Sequence, residues 1–222
     1  MNILITGTSK GLGKYLAEYY SKDNRVFGCG RTPISGGDNF DHFMVDITDE
    51  KQVINLIKNL NNIDVLINNA GVASMNSLIF TSLDSVKNTF DVNFNGAFLM
   101  CREVVKKMIK QKFGRIINIS TVAVPLNLEG ELIYASSKAA VEKMTQILSK
   151  EVGTFGITVN TVSPTVMEDG LIRNVPKDKL NNIIDLQSIK RLGTFGDVTK
   201  VIDFYINSDF VTGQTIYLGG IC

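Results

Sequence analysis

The stretch from Ile119 to Lys138, ISTVAVPLNLEGELIYASSK, contains hydroxyl, phenol and ammonium groups at a spacing suited to proton transfer. Tyr134 and Lys138 are four residues apart, so on a helix they share one face. At ~4 Å and an effective dielectric near ~20, a lysine ammonium attracts a phenolate by about 4 kcal/mol. That attraction predicts a tyrosine pKa lowered by roughly 3 units from its usual value of about 10, into the range useful for acid–base catalysis. The same spacing is also typical of a core tyrosine followed by a surface lysine.

A glycine-rich segment, TGTSKGLG at 6–13, follows an apolar strand pattern and precedes a helical one. In this context glycines allow a tight turn and a close approach of a pyrophosphate to the backbone, while the helix N-terminus supplies N–H donors. The segment therefore predicts a dinucleotide site, with a purely structural turn as the alternative. The residues expected to contact the dinucleotide are Gly7, Ser9, Lys10, Gly11, Leu12 and Gly13.

The end of the second predicted strand indicates which dinucleotide is bound. NAD-binding domains place a carboxylate about 20 residues beyond the glycines, where it accepts a hydrogen bond from the ribose 2′-hydroxyl. Here the sequence reads Gly30-Arg31-Thr32, and no carboxylate stands there. Arg31, together with Lys10, is suited to hold a 2′-phosphate, so NADP is predicted over NAD. Asp46 and Ile47 are expected beside the adenine; the alternative role of Asp46 is a helix N-terminal acid.

Short apolar runs rich in β-branched residues alternate with longer amphipathic segments along the whole chain. Several runs are apolar on consecutive residues, as strands buried on both faces of a parallel sheet require. The pattern predicts a single doubly wound α/β domain over 1–222, with a Rossmann-like, mostly parallel seven-stranded sheet flanked by helices. The polar, irregular segment 165–192 is predicted to be a mobile substrate lid. Strands are predicted at 2–6, 25–30, 42–47, 64–69, 115–120, 157–162 and 214–219, and helices include 49–60 and 139–152.

The composition narrows the classes of partner. Lys and Arg total 23 against 22 Asp and Glu, so a net charge of +1 gives no reason to expect nucleic acid. Three scattered cysteines and a single histidine supply no metal site and suit a reducing, cytoplasmic setting. No run is long and apolar enough for a membrane span, and no secretory leader is recognised, so a soluble protein without a membrane partner is expected.

Six signatures occur in one order along the chain: TGTSKGLG, NNAG at 68–71, VNFNG at 92–96, IST at 119–121, YASSK at 134–138 and VNTVSP at 159–164. In this order they resemble the short-chain dehydrogenase/reductase family, particularly its smaller-subunit branch, over essentially the whole chain. The resemblance implies that Tyr134 is the catalytic acid/base and that Lys138 binds the nicotinamide ribose and tunes the tyrosine. It also implies that Asn93 helps to hold a proton-relay water. Asn69 would lie near the adenosine half of the cofactor and steady the sheet.

Three positions depart from the family pattern. The family's substrate-polarising serine lies 13 residues before the tyrosine, which here is Thr121 rather than Ser120. Threonine keeps the hydroxyl but adds a methyl group and stiffens χ1. We therefore predict that Thr121 polarises the substrate and that Ser120 supports the strand end. Thr165 replaces the glycine that usually follows Pro164, and Asp169 replaces a threonine that often meets the nicotinamide carboxamide.

The resemblance favours an NADPH-dependent reductase acting on a small-molecule carbonyl, or on an alcohol in the reverse direction. The 3-oxoacyl-carrier-protein reductases are one similar group, and they dock an acidic carrier protein on basic residues. Lys112 falls at one docking position, but Phe155 stands at the other. A free ketone or a keto-sugar is therefore an equal alternative to an acyl thioester. The basic residues nearest this position are Lys106, Lys107, Lys110, Lys112 and Arg115.

Two other classes of function remain open, a non-catalytic NADP-binding sensor or scaffold and an epimerase or dehydratase of the same family. Fold alone does not separate them from a reductase. Because Tyr134, Lys138 and Asn93 are all present, the sequence favours the enzyme. Similar chains form homodimers or homotetramers, and the small residues Ala135, Ser136, Ala139 and Ala140 would allow close helix packing between subunits or within one.

Overall fold

The computed structural model describes residues 1–168 and 177–221, and its centre is a seven-stranded sheet. The strands lie side by side in the order β3-β2-β1-β4-β5-β6-β7, and every pairing between neighbours is parallel. The predicted Rossmann-like parallel sheet is therefore confirmed. The strands are β1 (Asn2–Thr6), β2 (Arg25–Gly30), β3 (Phe40–Met44), β4 (Val65–Asn68), β5 (Gly114–Ile119), β6 (Ile157–Ser163) and β7 (Thr215–Tyr217).

The central strands are those with continuous apolar or β-branched runs. Every residue of β4, β5 and β6 is buried, which is expected when helices cover both faces of a parallel sheet. The predicted third strand, 42–47, was placed two residues too late. Its pairing with β2 begins at Phe40, and after Met44 the chain turns toward Asp46, whose side chain holds a turn instead of extending the strand.

Helices pack on both faces of the sheet and divide the core into two clusters. One cluster joins residues such as Val53, Met100 and Val104 to the sheet, and the other joins Leu16 and Ile202 to the opposite face. The α-helices are α1 (Gly11–Tyr20), α2 (Glu50–Asn59), α3 (Leu83–Phe90), α4 (Gly96–Gln111), α5 (Ala123–Leu126), α6 (Leu132–Val152), α7 (Lys177–Leu186) and α8 (Phe195–Asn207).

Helix α6 starts earlier than the apolar pattern indicated. The predicted helix 139–152 covers only its later part, and the observed helix begins at Leu132. Tyr134 and Lys138 therefore both lie within its first two turns. A short π-helical segment, Asp91–Asn95, separates α3 from α4 and contains Asn93. Single π-helical turns inside α-helices are frequently found at functional sites.

The strand order reverses between β1 and β4, because β2 and β3 extend the sheet to one side and β4 begins the other. In open parallel sheets, ligands bind beyond the carboxyl ends of the strands at this point of reversal. The turn after β1, Asn69 after β4 and Thr121 after β5 all project from that edge. The topology alone therefore brings the separate sequence signatures to one side of the sheet.

The segment 165–192, predicted to be a lid, leaves and rejoins the sheet edge at one place. Gly193 donates its N–H to the Val166 carbonyl at 2.9 Å and accepts from the Glu168 N–H at 3.1 Å. Beyond that pairing the described part of the segment contains α7, while 169–176, including Asp169, lies outside the described residues. Within the ranges the structure describes, no helix has the length and apolarity to cross a membrane.

Candidate active site

The turn after β1, residues 7–13, is called the glycine cradle below. Gly7 adopts a φ of +76°, a left-handed conformation that favours glycine. A Cβ on Gly13 would lie 2.2 Å from the Gly7 carbonyl oxygen, so a side chain there is excluded by backbone. The cradle then opens directly into the N-terminus of α1, whose first N–H groups point outward and favour an anion.

Asn69 fastens the end of β4 to the glycine cradle. Its side-chain amide donates to the carbonyl oxygens of Thr6 at 2.9 Å and Gly7 at 3.3 Å. In return the Thr6 hydroxyl accepts from the backbone N–H groups of Asn69 and Ala70. The expected role of Asn69 in steadying the sheet fits these contacts, which connect the cradle to the ends of β1 and β4.

The outer end of the candidate cofactor site contains the predicted basic pair. Arg31 and Lys10 are both exposed, on the segments that follow β2 and β1. His42, to which the sequence assigned no role, links these segments: its Nδ1 lies 3.0 Å from the Thr8 hydroxyl and its Nε2 lies 3.0 Å from the Thr32 carbonyl oxygen. A carbonyl oxygen only accepts, so Nε2 carries the proton.

The side chain of Asp46 forms a turn, whereas the side chain of Ile47 is buried in the protein. One carboxylate oxygen of Asp46 accepts from the backbone N–H and hydroxyl of Thr48, at 3.0 and 2.8 Å. The N-cap of α2 is Asp49 instead, which accepts from two N–H groups of the first turn. The Ile47 side chain is buried against Gly96, so only its backbone is available to an adenine.

Thr121, Tyr134 and Lys138, called the reaction cluster below, come together beyond the end of β5. A hydrogen bond with the Thr121 side chain acts on the Tyr134 hydroxyl and lowers its pKa. Ser120 points elsewhere, because its hydroxyl donates to the Glu142 carboxylate at 2.6 Å. The structure therefore brings Thr121, and not Ser120, to the tyrosine, in the arrangement predicted from the spacing.

The pKa of Tyr134 moves in the direction opposite to the one predicted. Burial, which disfavours the phenolate, raises the pKa to about 12 and outweighs the hydrogen bond from Thr121, while the charge of Glu131 raises it further. The expected lowering by Lys138 is wrong for this structure: its charge is not among the causes of the Tyr134 shift, and its ammonium donates to the Ile119 carbonyl at 2.8 Å. Tyr134 is consequently a phenol that carries its proton at neutral pH.

Lys138 is 5% exposed, an unusual position for an ammonium group. Burial lowers its pKa to about 8, and the charge of Glu142 opposes that shift. A Cβ on Gly71 would lie 3.4 Å from Nζ, so the loop after β4 leaves little room above the ammonium. The Lys138 side chain therefore has little room to move, and its pKa lies close to neutral pH.

Asn93 joins the reaction cluster to the loop after β4. Its Oδ1 accepts from the Val72 N–H at 2.8 Å, and its Nδ2 donates to the Val72 carbonyl and the Ser137 hydroxyl, each at 2.9 Å. Both amide hydrogens are thus used within the protein. The side chain positions the π-helical segment against α6, and a water relay at this place would need backbone groups of that segment.

Two observations show that the edge suits a nicotinamide dinucleotide. The Gly7–Gly13 contact leaves a cradle that a Cβ would fill, with helix N–H groups facing outward. In addition, the buried Thr165 hydroxyl, which follows β6, has no hydrogen-bond partner among the residues that the structure describes. Buried hydroxyls are normally paired, so an unpaired one at a site's edge fits a ligand that carries polar groups.

Sequence reasoning missed Glu142 and Tyr217. The Tyr217 hydroxyl donates to the Glu142 carboxylate at 2.7 Å, close to Lys138. The signal for Glu142 was present, because it follows Lys138 by four residues, as Lys138 follows Tyr134. It stands among apolar residues on a face of α6 that packs against β6. No local signal pointed to Tyr217, because its contact depends on the register of β7.

Comparison with known proteins agrees with this geometry. The family model described as short chain dehydrogenase matches residues 1–180. The chain therefore belongs to the short-chain dehydrogenase family, and the family and fold expected from its signatures are confirmed.

Similar curated proteins extend over nearly the same length. The 3-oxoacyl-[acyl-carrier-protein] reductase FabG of Rickettsia prowazekii is 33% identical over 232 residues, covering 98% of this chain and 94% of that protein. FabG of Buchnera aphidicola subsp. Baizongia pistaciae is 31% identical, with coverages of 98% and 95%.

Solved structures with a similar fold also cover nearly the whole chain. ElxO with NADP bound has a TM-score of 0.87 and 28% identity, covering 98% of this chain and 96% of that one. A putative gluconate dehydrogenase from Agrobacterium tumefaciens has a TM-score of 0.90 and 26% identity, with coverages of 99% and 94%.

Proposed function

We propose that the protein is an NADPH-dependent carbonyl reductase, or an alcohol dehydrogenase in the reverse direction. The observation that carries the proposal is the grouping of Thr121, Tyr134 and Lys138 beside the glycine cradle on one edge of the sheet. A non-catalytic sensor built on this fold has no need of a buried ammonium, which is costly to keep in a protein interior.

In the reductive direction, each residue of the reaction cluster has a distinct role. The hydroxyl groups of Thr121 and Tyr134, which lie within hydrogen-bond distance of each other, are proposed to polarise the carbonyl oxygen of the substrate by hydrogen bonding. When bound, the nicotinamide cofactor supplies the hydride. Tyr134, whose pKa is about 12, holds its proton at neutral pH and gives it to the developing alkoxide. The Lys138 ammonium, held at the Ile119 carbonyl, is proposed to bind the ribose of the nicotinamide and to supply the positive charge of the site.

The preference for NADP rests on charge at the outer end of the site. Arg31 and Lys10 are exposed beside the end of β2, and the residue after Gly30 is basic instead of acidic. Structures of ElxO, which hold NADP and NADPH, support the same cofactor here. Asp46 and Ile47 are proposed to border the adenine, Ile47 through its backbone.

The substrate is proposed to be a carbonyl compound, and the names of similar proteins make a 3-oxoacyl thioester the first to test. The cluster at 106–115 offers an acyl carrier protein fewer free charges than its sequence suggests. Lys106 is paired with Glu103 at 2.7 Å, and Lys107 donates to a backbone carbonyl at 2.6 Å. Arg115 is buried and donates to the Ile206 carbonyl. A free keto compound therefore stays an equal alternative.

We propose that the described parts of the segment 165–192, residues 165–168 and 177–192, form one wall of the substrate pocket within a single domain. The pairing of Gly193 with the backbone of Val166 and Glu168 closes the base of this segment beside the reaction cluster.

Self-association through α4 and α6 is also proposed. In support, Phe98 and Ile147 are exposed on these helices, beside the small residues that the sequence singled out. Light scattering would test this, and a strictly monomeric protein would contradict it.

A reducing, cytoplasmic setting is proposed from the thiols. Cys29 and Cys101 are buried and free, and burial raises the pKa of each to about 12. Such thiols are inert and suit a compartment in which disulfides are rare.

The decisive experiment follows the loss of nicotinamide absorbance with NADPH and, separately, NADH across 3-oxoacyl thioesters, ketones, diketones and keto-sugars. Turnover by the wild type that falls by about 1,000-fold in Tyr134→Phe, with NADPH binding retained, would support the proposal. The matched control is Tyr19→Phe, whose hydroxyl contacts Asp203 on the surface and whose removal should leave turnover unchanged. Equal turnover in Tyr134→Phe and the wild type would overturn the reductase mechanism.

A further inference from the structure

Glu142 is a buried carboxylate on α6, one helical turn beyond Lys138. It is 8% exposed, and three hydroxyl groups donate to it. Ser120, at the end of β5, donates to Oε1 at 2.6 Å, and Ser163 of β6 donates to the same oxygen at 3.1 Å. Tyr217 of β7 donates to Oε2 at 2.7 Å. Three consecutive strands of the sheet thus hold one carboxylate.

These contacts orient the carboxylate but leave its charge without a counter-charge. Three hydroxyl groups donate to this carboxylate, and hydrogen bonds of this kind are strongest when the acceptor is charged. Hydroxyls are neutral, and a buried charge is costly unless an opposite charge lies near it. Among the residues that the structure describes, Lys138 carries a positive charge on which the charge of Glu142 acts.

The Lys138 ammonium and the Glu142 carboxylate form hydrogen bonds with two adjacent residues at the end of β5. The Lys138 ammonium donates to the carbonyl of Ile119, and the Glu142 carboxylate accepts from the hydroxyl of Ser120. On α6 the two side chains are four residues apart and so lie on one face. The end of β5 therefore sets the distance between ammonium and carboxylate.

Other polar groups around Lys138 come from several elements. Helix α6 contributes Tyr134 and, through its effect on Tyr134, Glu131. The π-helical segment contributes the neutral amide of Asn93. The loop after β4 passes close to the ammonium at Gly71, which has no side chain. β7 contributes Tyr217, which acts through Glu142 and whose pKa is raised by burial and by that carboxylate. Within the described residues, Glu142 is the anion that acts on Lys138.

We propose that Glu142 is a positioning residue of the active site, which keeps the Lys138 ammonium charged while Tyr217 holds Glu142 in place. The inference rests on the proposed function in one respect, because it gives Lys138 the charged role that the reductase mechanism needs. The competing explanation is purely structural: Glu142 joins three strands, and its loss lowers stability without changing the protonation of Lys138.

The test titrates Lys138 directly, in the protein without cofactor, by NMR of lysine labelled with ¹³C at the ε-carbon. Lys138→Met assigns the signal by its disappearance. In the wild type we expect the midpoint near pH 8, because burial lowers the Lys138 pKa to about 8. In Glu142→Gln the opposing charge is lost, so the midpoint should fall by about 1 pH unit or more. Glu142→Asp, which withdraws the charge by one methylene, should give a smaller fall and serves if the glutamine variant does not fold.

Two controls separate charge from structure. Glu103→Gln removes a carboxylate that is equally buried on α4 but paired with Lys106, so the Lys138 midpoint should not move. Tyr217→Phe removes one hydrogen bond and keeps the charge, so it should shift the midpoint by only a few tenths of a unit. Kinetics give a second readout: the pH at which kcat/KM declines on the alkaline side should fall in Glu142→Gln by the same amount as the NMR midpoint.

An unchanged midpoint in folded Glu142→Gln would overturn the inference and leave Glu142 a structural residue. That outcome is distinct from failure of the reductase proposal, which would appear as full turnover in Tyr134→Phe. Because the NMR readout needs neither cofactor nor substrate, it remains informative whichever carbonyl compound is reduced.

Discussion

The glycine cradle and the reaction cluster lie on the same edge of the sheet, but different contacts hold them. The cradle is backbone packed on backbone: the Gly7 carbonyl fills the space where a Gly13 side chain would be. The reaction cluster depends on buried polar side chains, with Lys138 and Glu142 both nearly inaccessible to water. Substitutions should therefore damage the cradle through sterics and the cluster through protonation, and the predictions below test that difference.

The largest effect is expected from Gly13→Ala. A Cβ placed 2.2 Å from the Gly7 carbonyl oxygen and 2.4 Å from the Asn69 amide must displace the cradle. We expect a loss of about 3 kcal/mol in the free energy of unfolding, measured by urea denaturation, together with weakened NADPH binding. Gly153→Ala is the matched control, because its Cβ meets nothing within 4 Å and its φ is −57°. It should be neutral or stabilising.

Lys138→Met should abolish turnover, and its stability relative to the wild type should depend on pH. Burial lowers the Lys138 pKa from 10.5 to about 8, so below pH 8 the wild type loses up to about 3 kcal/mol by holding the charge inside. Between pH 8 and 10.5 the unfolded chain binds a proton that the folded chain does not, so wild-type stability rises with pH. Lys138→Met lacks this rise and leaves the buried Glu142 carboxylate without the Lys138 charge, so its stability relative to the wild type should fall by up to about 3 kcal/mol between pH 8 and 10.5. Lys143→Met, at an exposed position of the same helix, should show no such change with pH.

Replacing Thr121 and Ser120 in turn tests which of these two neighbouring hydroxyls takes part in the reaction. Thr121→Ala removes the group bonded to Tyr134, and kcat should fall by about 100-fold. Thr121→Ser keeps the hydroxyl and should retain most of the turnover. Ser120→Ala removes a bond to Glu142 and should reduce kcat by less than about tenfold. If Ser120→Ala is the inactive variant, the hydroxyl has been assigned to the wrong residue.

The smallest effect is expected at the exposed outer end of the cradle. Arg31→Ala should reduce the ratio of kcat/KM for NADPH to that for NADH by about tenfold, because one charge-assisted contact to the 2′-phosphate is lost. The difference should shrink at high salt, since exposed charges are screened. The exposed Lys200→Ala is the control. An unchanged ratio would remove the basis for NADP preference at this position.

The sequence was sufficient wherever structure is determined locally. The runs at 2–6 and 25–30 are strands with those bounds, and the glycine spacing specified the cradle. The four-residue spacing placed Tyr134 and Lys138 on one helix face before the start of α6 was known. Parallel topology then brought signatures far apart in the chain to one edge.

Protonation could not be predicted in the same way. The sign of the Tyr134 shift depends on how much solvent the fold removes from its hydroxyl, and on where the Lys138 ammonium points. Both are properties of tertiary packing. The anchor provided by Tyr217 depends on β7 pairing with β6 at Ser163, which the three-residue strand pattern does not specify.

The contact between Tyr217 and Glu142 also concerns the order in which the protein is made. The tyrosine follows the glutamate by 75 residues and is supplied by the last strand of the sheet. The hydrogen bonds of this carboxylate can therefore be complete only after β7 has been synthesised and has paired with β6.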